Sequence, residues 1–248
     1  MSHHIVEARD VSFTYPDGTD ALSNISFRIE HGCSVALIGA NGAGKSTLTL
    51  LLNGCLCPSS GEIEIGGIKV SKETACSIRK AVGMVFQNPD DQLFMPTVEE
   101  DISFGPANLG LTPSEITENV SLAMEKTGIT HLRNKPPYRL SAGEKRAAAI
   151  AGVITMSPDI LVMDEPSSNL DPMARRRIIE LLKSFPHTKI IATHDMELVL
   201  EVCSRVILLD RGKIAADGTA NEILANETMM KTHGLETPHI LRHHHPHC

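Results

Sequence analysis

Four residues stand at a spacing that can hold a triphosphate: Gly39, Gly44, Lys45 and Ser46 satisfy G-x-x-x-x-G-K-[ST]. They belong to the stretch Gly39-Ala40-Asn41-Gly42-Ala43-Gly44-Lys45-Ser46-Thr47, which lies between the apolar runs Ser34–Ile38 and Leu48–Leu52. Glycines let such a loop curl around an anion with its N–H groups pointing inward. A helix opening near Lys45 adds unpaired N–H groups and the positive end of its dipole. Lys45 is expected to reach the β- and γ-phosphates, and the Ser46 hydroxyl to bind Mg²⁺. Strand, loop and helix in that order predict a chain that binds a nucleoside triphosphate.

A second chemical pair, Asp164-Glu165, closes the apolar run Ile160-Leu161-Val162-Met163. In a doubly wound sheet the C-terminal ends of the strands line the ligand crevice. Asp164 is therefore expected beside the phosphate loop, helping to hold Mg²⁺, with Glu165 placed to polarise an attacking water as general base. His194 follows another apolar strand, Lys189–Thr193, where an imidazole can bond a γ-phosphate or the water. A polar strand end explains that histidine equally simply. Ser141 with Glu144 three residues on is a capping box. The same helix start could instead turn Ser141 and a glycine amide toward a phosphate. Tyr15, where a strand meets a turn, reads either as a half-buried aromatic or as a ring stacked on a base. For Tyr15, Ser141 and His194, position alone favours the structural reading.

These groups need a framework. Residues 5–30 alternate with period two around a turn at Tyr15-Pro16-Asp17-Gly18, which predicts a small antiparallel β layer ahead of the first parallel strand. Ile63–Ile65 and Ala81–Phe86 read as further strands. Residues 88–157 change character, with helical periodicity broken by Pro96, Pro106 and Pro113, and predict a helical insertion whose helix at 115–124 is capped by Thr112 or Ser114. Asp171-Pro172 starts another helix. Val206–Asp210 and Lys213–Gly218 predict a closing hairpin, followed by one helix near 220–232. No internal repeat is visible. The expected fold is α/β, a mainly parallel nucleotide-binding core with an N-terminal antiparallel β subdomain, over residues 1–236, followed by a His-rich tail at 237–248.

The 248 residues carry a formal charge of −7, with 42% hydrophobic and only 3% aromatic residues and no Trp. Scarce aromatics and net negative charge argue against a nucleic-acid platform built on stacking and basic grooves. No apolar run approaches the roughly 18 residues needed to span a bilayer, and no signal peptide opens the chain. The six cysteines show no C-x-x-C spacing, so reduced thiols in a cytosolic protein are expected.

Taken in order, the motifs resemble the ATP-binding subunits of ABC transporters across residues 5–225. Gly39–Thr47 is similar to the family's Walker A motif, Gln87 to the Q-loop, and Leu140-Ser141-Ala142-Gly143-Glu144 to the signature. Ile160–Glu165 is similar to Walker B, Ser167–Asp171 to the D-loop and His194 to the H-loop. The resemblance implies that Tyr15 stacks on adenine and that Gln87 joins Ser46 and Asp164 near Mg²⁺. It also implies that Ser141 with Gly143 contacts the γ-phosphate held by a second protomer, and that His194 positions the reacting groups. Two signature positions depart from the usual Leu-Ser-Gly-Gly-Gln. Glu144 replaces Gln, and Ala142 replaces a glycine, which is harmless in helical backbone but costly at positive φ.

The run Phe86-Gln87-Asn88-Pro89-Asp90-Asp91-Gln92-Leu93-Phe94 with Phe104-Gly105-Pro106 resembles the energy-coupling-factor branch, whose ATPases drive vitamin and cobalt or nickel uptake. Ser141–Arg146 and Pro166–Pro172 are most similar to its cobalt-type member. That resemblance implies ATP and Mg²⁺ as cofactors and a second, preferably identical, ATPase protomer. It further implies an integral-membrane component docked on the helical insertion, a substrate-binding component, and a place on the cytoplasmic face of the cell membrane. His239, His243, His244, His245, His247 and Cys248 add a metal-competent tail. The alternatives are the same motor carrying a vitamin, or a soluble ABC ATPase. The span from Ser46 to Leu140 is too short for the coiled-coil insertion typical of the soluble kind.

Overall fold

The computed structural model describes residues 6–242. In chain order its elements are β1 (Val6–Thr14), β2 (Asp20–Ile29), β3 (Ser34–Ile38), α1 (Lys45–Leu52), β4 (Ser60–Ile65), β5 (Ile68–Lys69), α2 (Ala75–Ala81) and β6 (Val82–Val85). There follow α3 (Val98–Asn108), α4 (Pro113–Thr127), α5 (Ala142–Ile154), β7 (Ile160–Asp164), α6 (Pro172–Ser184), β8 (Thr188–Ala192) and α7 (Met196–Val202). The chain continues with β9 (Arg205–Asp210), β10 (Lys213–Thr219), α8 (Ala220–Ala225), α9 (Glu227–Thr232) and α10 (His239–Arg242).

Two sheets result. One is antiparallel, in the order β2-β1-β4-β5; the other runs β10-β9-β3-β8-β7-β6 and is parallel except at the β9–β10 hairpin. Strands β6, β7 and β8 are buried along their whole length, which is why Val82–Val85, Ile160–Met163 and Ile190–Ala192 read as apolar runs rather than alternating ones. One core fills the space between the antiparallel sheet, α1 and one face of the parallel sheet; a second covers the opposite face with α5, α6, α7 and α8. Among the described residues no helix is long and apolar enough to cross a membrane.

The stretch between β6 and β7 has a third core, where Val98 and Ile102 of α3 meet Val120, Ala123 and Met124 of α4 and Ala148 and Ala151 of α5. Thr97 and Thr112 start α3 and α4 with reciprocal capping boxes to Glu100 and Glu115, which settles the α4 cap on Thr112 rather than Ser114. Pro106 sits inside α3. Helix α5 belongs to two cores at once, since Ala149, Ile150 and Val153 pack on the parallel sheet. It is the joint between helical segment and nucleotide core.

Two local expectations need correction. The single helix expected near 220–232 is two, because Asn226 ends α8 and its side chain accepts from the Met229 N–H to start α9. Strand β7 stops at Asp164, and Glu165 turns away with φ +48°. Of the tail, His239 opens α10, whereas His243, His244, His245, His247 and Cys248 lie outside the described residues.

Candidate active site

The phosphate loop joins β3 to α1. Gly39, Gly42 and Gly44 all have positive φ, and a Cβ on Gly39 would lie 2.3 Å from the Leu209 carbonyl oxygen of β9. Lys45 is 7% exposed and donates to the Gly39 carbonyl at 2.7 Å and the Ala40 carbonyl at 3.1 Å. Burial lowers its pKa from the ordinary lysine value, while the charges of Glu165 and Asp164 pull it back up. Ala43 closes the loop by donating its N–H to the Ala40 carbonyl and accepting from Gly212. At the far end Thr47 shares a 3.0 Å hydrogen bond with the Tyr15 hydroxyl, and the Tyr15 ring stands edge-on to Phe13 with centroids 4.9 Å apart. Tyr15 is thus tied to the phosphate loop itself.

Beside the loop, Asp164 is 4% exposed. Burial raises its pKa above the usual carboxylate range and the Glu165 charge adds to that; a hydrogen bond from Ser46 and the charges of Lys45 and Arg146 oppose it. Its Oδ1 is buried with no hydrogen-bond partner. An orphaned anionic oxygen next to the Ser46 hydroxyl is the donor set a hard divalent cation takes, so the residues present fit Mg²⁺.

This yields a first expected outcome. A carboxyl whose folded pKa lies above its unfolded one costs stability as pH rises from the ordinary carboxylate range through the raised value. Asp164→Asn should therefore melt no lower than wild type without ligand at neutral pH, with any gain shrinking in acid. The same variant should lose the Mg²⁺-dependent part of the thermal stabilisation given by ATP. Both are read from melting curves with ATP alone and with ATP plus Mg²⁺.

Glu165 is 6% exposed, and its Oε2 accepts from the Thr193 hydroxyl at 3.1 Å, the His194 N–H at 3.4 Å and the His194 Nδ1 at 2.8 Å. A carboxylate cannot donate, so Nδ1 carries the proton and the imidazole presents Nε2 outward from a ring whose side chain is 67% exposed. The Glu165 N–H bonds the Ala192 carbonyl at 2.8 Å, which fixes the turn out of β7 against the end of β8. The structure so brings Lys45, Ser46, Asp164, Glu165 and His194 to one end of the parallel sheet, with Tyr15 on the flank of the loop.

Ser141 and Gly143 stand elsewhere. They line a cavity of about 410 Å³ with Glu144, Asp171 and Ala174, to which no phosphate-loop residue contributes. Ser141 caps α5 through the Glu144 N–H, and Gly143 packs so close to α6 that a Cβ would lie 3.0 Å from that of Ala174. Ala142 is the first residue of α5 and is absent from the positive-φ residues, so the methyl there is unstrained. Gln87 lines a different cavity, with Ala142, Lys145, Arg146 and Ser168.

Three groups whose partners lie far along the chain surround the site. Thr193, fully buried, holds Glu165. Arg146 bonds the Phe86 and Gln87 carbonyls. Asp195 caps α7 and takes both arms of Arg175 at 2.7 and 2.8 Å and the Ser167 hydroxyl at 2.9 Å. Burial alone would raise the Asp195 carboxyl, but these bonds outweigh it and hold it below its ordinary value. His194 is thereby anchored to the segment after Glu165.

Comparison with known proteins agrees with this geometry. The family model described as ABC transporter matches residues 22–168, more than half of the chain. A Geobacter sulfurreducens protein with the provisional name of ABC transporter ATP-binding protein is 58% identical over 238 residues, 96% of either chain. Energy-coupling factor transporter ATP-binding protein EcfA of Methanothermobacter thermautotrophicus is 46% identical over 94% of this chain and 77% of its own length. Among solved structures, cbiO1 from Clostridium perfringens, described as part of the ABC transporter complex cbiONQ, superposes with a TM-score of 0.81 at 39% identity, covering 97% of this chain and 98% of that one. A phosphate loop, a buried acidic pair and an exposed histidine at one sheet end, within a chain of this kinship, identify an ATPase that belongs to the ABC transporter family.

Proposed function

We propose that the chain is the ATP-hydrolysing subunit energising an energy-coupling-factor type importer, with cobalt or nickel ions as cargo. The observation that carries the catalytic part is Glu165, a buried carboxylate gripped by Thr193 and His194 beside the open Asp164 oxygen and Lys45. ATP would lie with its phosphates in the loop of residues 39–47, its adenine against Tyr15, and its γ-phosphate toward His194. Ser46, Asp164 and Gln87 would hold Mg²⁺, which when bound neutralises charge on the phosphate oxygens. Glu165 takes the proton of the attacking water through Oε1, the oxygen not engaged by Thr193 and His194. Lys45 and the loop N–H groups stabilise charge on the transferring phosphoryl group.

The separation of Ser141 from the phosphate loop supports a two-protomer arrangement, preferably of identical chains, in which each signature helix closes on its partner's ATP. ATP biases closure only through its higher affinity for the closed state, and the shared γ-phosphate supplies that difference. The docking surface for the integral-membrane component is the helical segment, where Phe94 and Phe104 meet edge-on at 4.9 Å although 63% and 44% exposed. Buried Asp101 accepts from the Phe94 and Met95 N–H groups and holds that loop in place. The chain would act as a peripheral protein at the cytoplasmic face of the cell membrane, with a substrate-binding component completing the importer. The cobalt or nickel assignment draws on the sequence motifs and on the kinship with cbiO1.

The test is purification from detergent-solubilised membranes, followed by uptake of labelled Co²⁺ and Ni²⁺ beside a vitamin panel. An integral-membrane partner should co-purify, and metal uptake should require the chain. Vitamin uptake alone would overturn the cargo, and a chain free of membrane protein would overturn the transporter reading. Phe94→Ser with Phe104→Ser should lose the membrane partner while keeping ATP hydrolysis within about twofold, since surface changes away from special features move little.

A further inference from the structure

A cavity of about 370 Å³ opens beside His194, lined by His194 and Glu197 at the start of α7 and by Glu236, Thr237 and His239 on the way into α10. The chain that brings those last residues there is pinned to the nucleotide-binding end. His233 Nδ1 meets Asp210 Oδ2 at 3.1 Å where β9 ends, and a Cβ on Gly234 would lie 3.9 Å from that of Ala40 in the phosphate loop. Met230 and Leu235 belong to the second core, and Leu241 of α10 packs against it. The C-terminal segment is therefore anchored between the phosphate loop and the cavity that it shares with His194.

Its lining has the chemistry of a divalent-ion site. His194 donates Nδ1–H to the buried Glu165 carboxylate at 2.8 Å and keeps the Nε2 lone pair on an exposed ring. A carboxylate behind an imidazole is the arrangement that metal-binding histidines use to fix their tautomer. His239 adds a second, exposed imidazole, and Glu197 and Glu236 add carboxylates. Thr237 is 5% exposed, and its Oγ1 is buried with no hydrogen-bond partner; a water carried by a bound ion would supply one. Imidazole ligands suit late first-row ions such as Co²⁺ and Ni²⁺, whereas Mg²⁺ takes oxygen. Among the described residues no three His, Cys, Asp or Glu side chains converge closely enough to hold a metal by themselves. Further imidazoles follow at once in the sequence, because His243, His244, His245 and His247 come directly after α10. Five residues span up to about 17 Å when extended, enough to bring them back to a cavity that His239 already lines.

We propose that His194, His239 and imidazoles of the C-terminal tail bind a Co²⁺ or Ni²⁺ ion, and that this ion switches hydrolysis off. The metal takes the Nε2 lone pair of His194, which then no longer positions the γ-phosphate or the attacking water. ATP stays on the phosphate loop, since Lys45, Ser46 and the loop amides are untouched. The inference rests on the proposed catalytic role of His194 and on a metal cargo, and it adds a feedback in which imported ion halts its own import.

The experiment titrates Co²⁺ and Ni²⁺ into the full-length protein with Mg²⁺ and ATP in excess, following both hydrolysis and metal binding by Co²⁺ absorption and calorimetry. Saturating metal should slow hydrolysis by about tenfold or more, a loss within reach of blocking a proton-handling group, while fluorescent-ATP affinity holds. His239→Ala, and a second protein with His243, His244, His245 and His247 all changed to alanine, should keep the metal-free rate within about twofold. Each should need about tenfold more metal for inhibition, the scale on which losing part of a metal site is felt. His194→Ala is read by binding alone and should bind Co²⁺ about tenfold more weakly. Unchanged Co²⁺ affinity in His194→Ala would mean that the tail binds metal by itself, and the inference fails while the ATPase assignment stands. Undiminished inhibition in His239→Ala and the tail variant would place the metal with ATP at Ser46 and Asp164, which also overturns it. A wild-type protein that hydrolyses no ATP before metal is added would instead overturn the proposed function, and this inference with it.

Discussion

Replacing Glu165 with glutamine is expected to slow ATP turnover about a thousandfold, within the range a positioned general base contributes, while leaving ATP affinity nearly unchanged. The amide oxygen can still accept from the Thr193 hydroxyl and the His194 N–H, so the turn after β7 should keep its shape. What disappears is the capacity to take a proton. An unhydrolysed γ-phosphate would then hold two protomers together, and a sizing column run with ATP and Mg²⁺ should show a dimer that the parent forms only transiently. Thr193→Val separates orientation from chemistry. It keeps the carboxylate but removes one of the donors that aim it, so kcat should fall about tenfold with KM unchanged, because misaiming a reacting group costs rate before it costs binding. A Glu165→Gln protein turning over ATP at more than about a tenth of the parent rate would remove Glu165 from the base role. A Thr193→Val protein as slow as Glu165→Gln would mean that the hydroxyl does more than aim.

What the sequence discloses of this site follows from the range over which each interaction acts. The phosphate loop is legible because strand, glycines, lysine and helix are contiguous, and a backbone cradle needs no distant residue. Strands β7 and β8 are legible because burial on both faces keeps Ile160–Met163 and Ile190–Ala192 apolar. Thr193, Arg146 and the Arg175–Asp195 pair are not, because each acts on a partner 20 to 60 positions away. Only folding makes those pairs neighbours. The turn of Glu165 into positive φ was hidden for a related reason: a non-glycine residue adopts it where tertiary contacts over-determine the backbone, here the Ala192 carbonyl and the His194 contact. The sequence pattern does not divide α9 from α8, because Asn226 is one polar residue in a helical periodicity and only its side chain's bond to the Met229 N–H starts the next turn. For Ala142, the two possible backbone conformations carried opposite consequences, and the helical one observed removes the penalty.

Gly44→Ala should be far more damaging than Gly42→Ala, two residues away in the phosphate loop, and the comparison explains why. Both glycines have positive φ, +103° and +78°, so each alanine pays a backbone penalty of about 1 to 2 kcal/mol. Around Gly42 a Cβ would meet nothing within 4 Å. Around Gly44 it would lie 2.7 Å from Leu22 Cδ2 and 2.8 Å from the Ala21 carbonyl oxygen. The leucine tip can move, at some cost in packing because Leu22 is 2% exposed. The carbonyl cannot, because Ala21 is part of β2 and the neighbouring backbone is held where Gly212 accepts from the Ser23 N–H at 2.8 Å. Gly44 is therefore where the antiparallel sheet presses directly on the phosphate loop. Its alanine variant must displace either β2 or the start of α1, and displacing α1 swings the N–H groups and Lys45 away from the phosphates. Expected are a loss of about 2 to 4 kcal/mol of folding stability and at least about a hundredfold weaker ATP binding, equivalent to 2.8 kcal/mol at 1.4 kcal/mol per decade. Gly42→Ala should lose only the backbone penalty and keep most of its affinity. Denaturant melts and nucleotide titrations of the two proteins decide it: if they lose equal stability, left-handed backbone alone demands these glycines and the contact with β2 is incidental.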